Sequence, residues 1–422
     1  MFFALFTNDL YIASHLVQWF ISALQIYIGW REYRFIGNVK ERPVPVQKYM
    51  KVETFNMLKS LNQRKLFAEI ANESFGLFIQ IVFSDELSHI SLWNLSTTLS
   101  GGVSERWTTW VFISVITSKD FLLTLPGNFY VRLKLKEQSL FSTIQLLFLE
   151  FIAEQVFQLL LLNSLVNMCN LVVNVSKSSL IYTNFVLILF LALAREFIMD
   201  PLFDGHITPL QDTRITKELQ PYLKIMEFPE GRIYLLKMSN QEDMPNAFTV
   251  GNRFFNTQKI IIADNVIGKN KRLNDCCTYK ECVAVILHEL GHVYYNHTIK
   301  SALLEVFITL STIISFILLH EDFVFTSFGF VQTRPVIIGI LIRLDLLAGY
   351  NLICSVVYML HLRNCEYEAD VFSSTFSKKH FKNALIKFHT IQPTDLLTHD
   401  PLYSLWNLDH PSLMERLKHL DS

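Results

Sequence analysis

The chain has 422 residues, 51% of them hydrophobic, with 35 Phe, 18% charged residues and a net charge of −1. Soluble domains carry about 25% charged residues, so this composition argues against an assembly of soluble domains and for a membrane protein. The near-zero charge leaves no basic footprint for nucleic acid.

Long apolar stretches predict seven membrane spans. The first runs from about Tyr11 to Trp30 and ends in an interfacial Trp30-Arg31 pair. The second covers about Phe67 to Ile90, the third about Trp107 to Leu125, and the fourth about Phe141 to Val166. The fifth is about Leu180 to Met199, the sixth Ala302 to Leu319, and the seventh about Val336 to Leu360. Met1 to Leu10 is too short and too poor in basic residues for a cleaved signal peptide.

Basic residues set the orientation. The connection after the first span holds Arg31, Arg34, Lys40, Arg42, Lys48, Lys51, Lys59, Arg64 and Lys65, whereas the one after the second holds Arg106 alone. The first, third and fifth connections and the C-terminal tail are therefore expected in the cytosol. Asn94 and Asn174, both glycosylation sequons, fall on the opposite side. Glu69, Glu73, Glu150, Glu154, Arg343 and Asp345 lie within or beside these spans, at a high desolvation cost. Two readings stand for the edge residues, snorkelling or an intramembrane surface that faces water. Arg343 and Asp345, well inside the seventh span, point to the second.

The segments divide as 1–199 with five spans, 200–300 as a cytosolic catalytic segment, 301–362 with two spans, and 363–422 as a closing cytosolic segment. Within the second, Arg232 to Leu236, Asn246 to Val250 and Lys259 to Ala263 read as strands, the last two joined by a turn near Asn252 to Thr257. Asn246-Ala247-Phe248 is a candidate edge for an extended peptide; an ordinary packed hairpin is the other reading.

The apolar run Val283 to Leu287 leads into His288-Glu289-Leu290-Gly291-His292. On a helix, residues four apart share a face, so both imidazoles can bind one metal ion, with Glu289 placed to deprotonate a water. A catalytic site needs a third ligand and an open position. Glu366 and Asp370, again four apart, supply them: Glu366 as ligand and Asp370 as acceptor for the second N–H of a ligand histidine, most plausibly His288. Glu368 falls off that face and is expected in solvent. His410 and Arg416 lie in a segment that begins a helix at Pro411-Ser412. They can stabilise an oxyanion or hold a carboxylate, or be plain surface residues. The six cysteines form no C-x-x-C pair and are read as free thiols.

Together these motifs resemble the integral-membrane zinc CAAX prenyl protease family, type 1. The resemblance rests on H-E-L-G-H at His288 to His292, E-Y-x-A-D at Glu366 to Asp370 with Arg363 before it, N-A-F at Asn246 to Phe248, and H-P-x-x-x-x-R-L at His410 to Leu417. Leu125-Pro126 with Tyr130, and Pro201 to Asp204 with Thr208 to Leu210, also match. Glu368 departs from the family's usual Gln.

The resemblance implies a mainly α fold: a barrel of seven transmembrane helices around a chamber, with a cytosolic zinc metalloprotease domain containing a small β-hairpin or sheet. It implies one zinc ion per chain on His288, His292 and Glu366, Glu289 as base and then acid, and Asp370 behind the ligands. His410 would act at the scissile carbonyl, and Asn246, Ala247, Phe248 and Arg416 would bind substrate. The implied activity is removal of the C-terminal tripeptide from prenylated CAAX proteins, with a second upstream cut in some members. The implied setting is the endoplasmic reticulum or inner nuclear membrane, in contact with lipid, as a monomer. The alternatives are a broad quality-control membrane protease of the HtpX type and a non-enzymatic zinc-containing scaffold.

Overall fold

The computed structural model describes residues 2–86, 88–135, 138–173, 207–237, 246–251, 256–267, 277–318, 322–391 and 396–422. The fold is mainly helical with one small mixed sheet, and the chain divides into two compact units.

The first unit comprises Met1–Arg34, Leu61–Phe185 and Thr309–Cys354. Helix α1 (Phe2–Asn38) is followed by α2 (Val52–Val82), α3 (His89–Leu99), α4 (Glu105–Tyr130) and α5 (Leu140–Val173). Ser88 and Ser104 cap α3 and α4 by accepting from Ser91 N and Trp107 N, which answers amide groups left open at a helix start. The unit's core gathers Trp93, Phe112, Ile113, Phe325, Phe330 and Ile338. Apolar side chains also cover the outside: Phe141, Phe148, Phe157 and Leu160 on α5 are exposed, the pattern of a helix that meets lipid.

Three described helices are long and apolar enough to cross a membrane, over Asp9–Asn38, Glu105–Leu133 and Leu140–Ser164. They coincide with the first, third and fourth expected spans. The second expected span is interrupted, because α2 stops at Val82 and α3 begins at His89, with the polar Ser84-Asp85-Glu86 and the Ser88 cap between them. The seventh is broken as well: α10 (Val336–Leu346) and the start of α11 (Ala348–Ile391) meet at a 58° bend. The fifth, with Asn174 and Pro201 to Asp204, lies outside the described residues. Of the two residues expected on an intramembrane surface that faces water, Arg343 is instead buried, and Asp345 pairs with His89 at 2.7 Å.

The second unit comprises Phe35–Ser60, Val186–Ile308 and Ser355–Ser422. Its sheet has the order β1-β2-β4-β3, formed by Ile207–Pro209, Ile233–Leu236, Lys259–Ala263 and Ala247–Val250 respectively. β2 and β4 run parallel, and the outer pairs are antiparallel. The three strands read from the sequence are present. β1 was not anticipated, since three residues ending in proline carry little periodicity. β3 is an edge strand, in register Ala247↔Ile262 and Thr249↔Ile260.

Helix α6 (Thr213–Ile225) and the buried side of α7 (Tyr279–Tyr294) pack with the sheet through Ile215, Leu219, Ile260, Ile262, Val283 and Ile286. A capping box of Thr278 and Glu281 starts α7. Lys387 Nζ reaches the same Glu281 carboxylate at 2.6 Å. On its other side α7 meets α11, where Ser373 Oγ donates to Ala284 O at 2.6 Å. The backbones approach closely at Gly291, where an added Cβ would lie 3.0 Å from Ala369 Cα and 3.1 Å from Phe372 Cβ.

That closeness is testable. Gly291→Val should overpack the α7–α11 contact and cost about 1–3 kcal/mol, read as a lower midpoint of thermal unfolding in detergent. An unchanged midpoint would mean that the two helices separate freely.

Candidate metal centre and active site

Three segments far apart in sequence build the centre. Helix α7 carries His288, Glu289 and His292. Helix α11 carries Glu366 and Asp370 one turn apart. The last helix, α13 (Leu413–Asp421), carries Arg416, and His410 stands just before it.

His288 Nε2 and His292 Nε2 face each other at 3.2 Å. Glu366 closes the third side, 3.6 Å from His288 and 3.5 Å from His292. The three ligand atoms lie within 4.8 Å of one another. Two imidazoles and one carboxylate converging in this way are the donor set of a catalytic zinc site. His288 Nδ1 lies 3.0 Å from Asp370 Oδ1, although the N–H does not point along that line. The His288 ring stacks on Phe381, 5.5 Å between centroids and 20° between planes. The residues fit the metal that the sequence implies.

Electrostatics follow from burial. For His288, burial opposes protonation, but the Asp370 and Glu366 carboxylates outweigh it and raise the imidazole to about 10. Burial, then the charge on His288, pushes His292 down to about 3. A proton held among such donors is what a divalent cation displaces. Burial also raises the Glu289 carboxyl above the usual carboxylate range, the direction expected of a general base.

Arg416 holds the acidic half together. Its Nε donates to Asp370 Oδ2 at 2.9 Å, its Nη2 donates to Oδ1, and its Nη1 lies 3.3 Å from Glu366 Oε2. The guanidinium is buried and turned onto these two carboxylates, whereas the sequence reading had it contact substrate. Its helix is fixed by a second capping box, Ser412 with Glu415. Arg363 Nη2 donates to the same Glu415 at 2.8 Å and Ser404 Oγ at 2.5 Å, so α11 and α13 are tied by one carboxylate. His410 is exposed, with Nε2 3.5 Å from Glu366 Oε1 and Nδ1 3.0 Å from Asp409 Oδ1.

Two partners escaped the sequence reading. Thr249 Oγ1 donates to Glu289 Oε2 at 3.0 Å, which joins edge strand β3 to the middle acid of the H-E-x-x-H motif on α7. Side chains alternate along a strand, so Ala247 shares the Thr249 face and Phe248 the other; Asn246 is exposed at the strand's start. Glu368, expected in solvent, instead meets His297 Nε2 at 2.9 Å, and His297 Nδ1 meets His292 Nδ1 at 2.9 Å. The spacing of His297, five residues beyond His292, signals nothing on one continuous helix. A turn intervenes, and the turn creates the contact.

Arg416→Ala should leave two buried carboxylates without their cation, a loss of about 3–5 kcal/mol for such an arrangement. Chemical or thermal unfolding in detergent reads it, and a parent-like transition would contradict the shared-guanidinium geometry.

Residues 209–422 match the profile of peptidase family M48, and the chain belongs to that family. It is similar to CAAX prenyl protease 1 of Saccharomyces cerevisiae, 24% identical over 433 residues, covering 94% of this chain and 92% of the relative. The CAAX prenyl protease 1 homolog of Homo sapiens is 23% identical, with 96% and 94% covered. A crystal structure of S. mikatae Ste24p superposes with a TM-score of 0.69 at 23% identity, covering 99% of both chains. The chain is therefore a metalloprotease of family M48 and is similar to these CAAX prenyl proteases over nearly its whole length.

Proposed function

We propose that this M48 metalloprotease removes the C-terminal tripeptide from prenylated CAAX proteins. The observation that carries the chemistry is the convergence of His288, His292 and Glu366 within 4.8 Å, beside the buried Glu289. The substrate class follows from the curated relatives, whose names specify CAAX prenyl proteolysis and whose lengths this chain covers almost completely.

His288, His292 and Glu366 would hold one zinc ion, which when bound supplies Lewis-acid polarisation and lowers the pKa of water. Glu289 takes the proton from the attacking water and returns it to the leaving amine. Thr249 holds the Glu289 carboxylate from the strand side. Asn246, Ala247 and Phe248 lie on edge strand β3, along which an extended substrate backbone would add to the sheet. His410, exposed beside Glu366 and steadied by Asp409, donates to the developing oxyanion. Asp370 and Arg416 keep Glu366 and His288 in place; the substrate contact expected of Arg416 would require its free edge beside Glu366.

The frame belongs to the same proposal: seven spans around a chamber, the site on the cytosolic side, and residence as a monomer in the endoplasmic reticulum or inner nuclear membrane. The apolar outer faces of α4 and α5 support membrane residence, and the distribution of Lys and Arg supports the orientation.

Two measurements test this. Glu289→Gln should keep zinc and lose at least about 100-fold in turnover, the low end for a lost general base; retained turnover removes Glu289 from that role. Purified protein should release the last three residues from a farnesylated C-a-a-X peptide, a zinc chelator should stop it, and the same peptide without lipid should be spared. Equal cleavage of both peptides would make the protein a protease without a lipid requirement, and cleavage of neither by zinc-loaded protein would overturn the assignment.

A further inference from the structure

The metal ligand His292 has an outer partner that the reaction does not use. Helix α7 ends at Tyr294, and only Tyr295 and Asn296 separate it from α8 (His297–Leu318). Asn296 takes a left-handed backbone, φ 55°, a conformation that asparagine tolerates better than most residues. Tyr295 N donates back to Gly291 O at 3.0 Å and closes the last turn of α7. The chain therefore reverses tightly and returns His297 to the side of His292. The two Nδ1 atoms are 2.9 Å apart. The Tyr295 ring stacks on His297, 5.6 Å between centroids and 18° between planes.

Beyond His297 stands Glu368. Its Oε2 is 2.9 Å from His297 Nε2, and its Oε1 accepts from Asn364 Nδ2 at 2.9 Å. Because a carboxylate only accepts, the row has one consistent arrangement of protons for neutral imidazoles. His297 Nε2–H donates to Glu368. His297 Nδ1 then carries a lone pair and accepts from His292 Nδ1–H. His292 Nε2 is left with its lone pair, directed at His288 Nε2 and Glu366. Glu368 thus selects the tautomer of His292 through two successive hydrogen bonds.

We propose that His297 and Glu368 form a positioning relay that presets His292 as a metal ligand, with Glu368 fixing the His297 tautomer and His297 fixing that of His292. The inference rests on the zinc reading of the site. A carboxylate behind a ligand histidine is a common device of metal centres; here a second imidazole stands between them. Without the carboxylate, His297 can carry its proton on Nδ1, where it opposes the Nδ1–H that His292 needs. The residue at 368 then affects metal binding from two side chains away.

The test is zinc affinity, measured by competition against a chelator of known affinity on metal-stripped full-length protein in detergent. Glu368→Ala and His297→Ala should each weaken binding by about 10-fold or more, within the range for loss of an outer-shell partner. Glu368→Gln should recover most of the affinity, because its amide carbonyl still accepts from His297 Nε2–H. Rescue by Gln separates tautomer selection from a general loss of packing. Glu368 is partly exposed, so Glu368→Ala decides the matter even where His297→Ala does not fold. Parent-like zinc affinity in Glu368→Ala, or no recovery in Glu368→Gln, would overturn the relay. A parent protein that binds no zinc would instead overturn the metalloprotease site on which the relay rests.

Discussion

Burying Glu366 and Asp370 one helical turn apart places two negative charges in a low-dielectric setting, and their desolvation and mutual repulsion demand a cation. Arg416 meets that demand, with two donors on Asp370 and a third atom beside Glu366. The planar fork of arginine suits this double engagement better than the single ammonium of lysine. The rest of the centre depends on the contact. Glu366 faces the histidines because it is held from behind, and Asp370 is free to stand beside His288 because the guanidinium satisfies its other oxygen.

Much of the surrounding structure serves to bring these groups within range. Helix α7 is buried on the sheet side by Val283 and Ile286, and on the α11 side it comes close enough at Gly291 to touch Ala369. That approach sets the separation between the histidines and Glu366. Arg363, Ser404 and the Ser412 cap all engage Glu415, so the helix that carries Arg416 has little freedom to slide. At Ser377 the long helix α11 bends, with the backbone extended. Ser377 Oγ then caps the next turn, with His380 Nδ1 2.7 Å away, and Phe381 follows to stack on His288.

Each side chain proposed to react or to hold the metal also has a close neighbour outside the cluster: Thr249 beside Glu289, Asp370 beside His288, and the His297–Glu368 pair beside His292. An edge strand that carries Thr249 couples the place where a peptide backbone would lie to the group that would move the proton. Preorganisation of this kind spares the reaction the cost of ordering its groups at each turnover.

The chemistry was legible in the sequence because it is local. Four-residue spacing puts His288 with His292, and Glu366 with Asp370, on common faces of helices, and an apolar run before His288 marks the helix. Short apolar runs rich in isoleucine, leucine and aromatic residues located three of the four described strands, and hydropathy located the long apolar helices. What the sequence did not reveal depends on chain reversals and on contacts between distant segments. Thr249 and Glu289 are 40 residues apart, and His297 and Glu368 are 71 apart. The break between α2 and α3 and the bend before α11 turn on a few polar residues and caps that an averaged hydropathy window smooths over. The sequence by itself determined which residues could bind a metal and which could move a proton. Tertiary structure decided which groups hold them in place, since a hydrogen bond between separate elements has no periodicity to betray it.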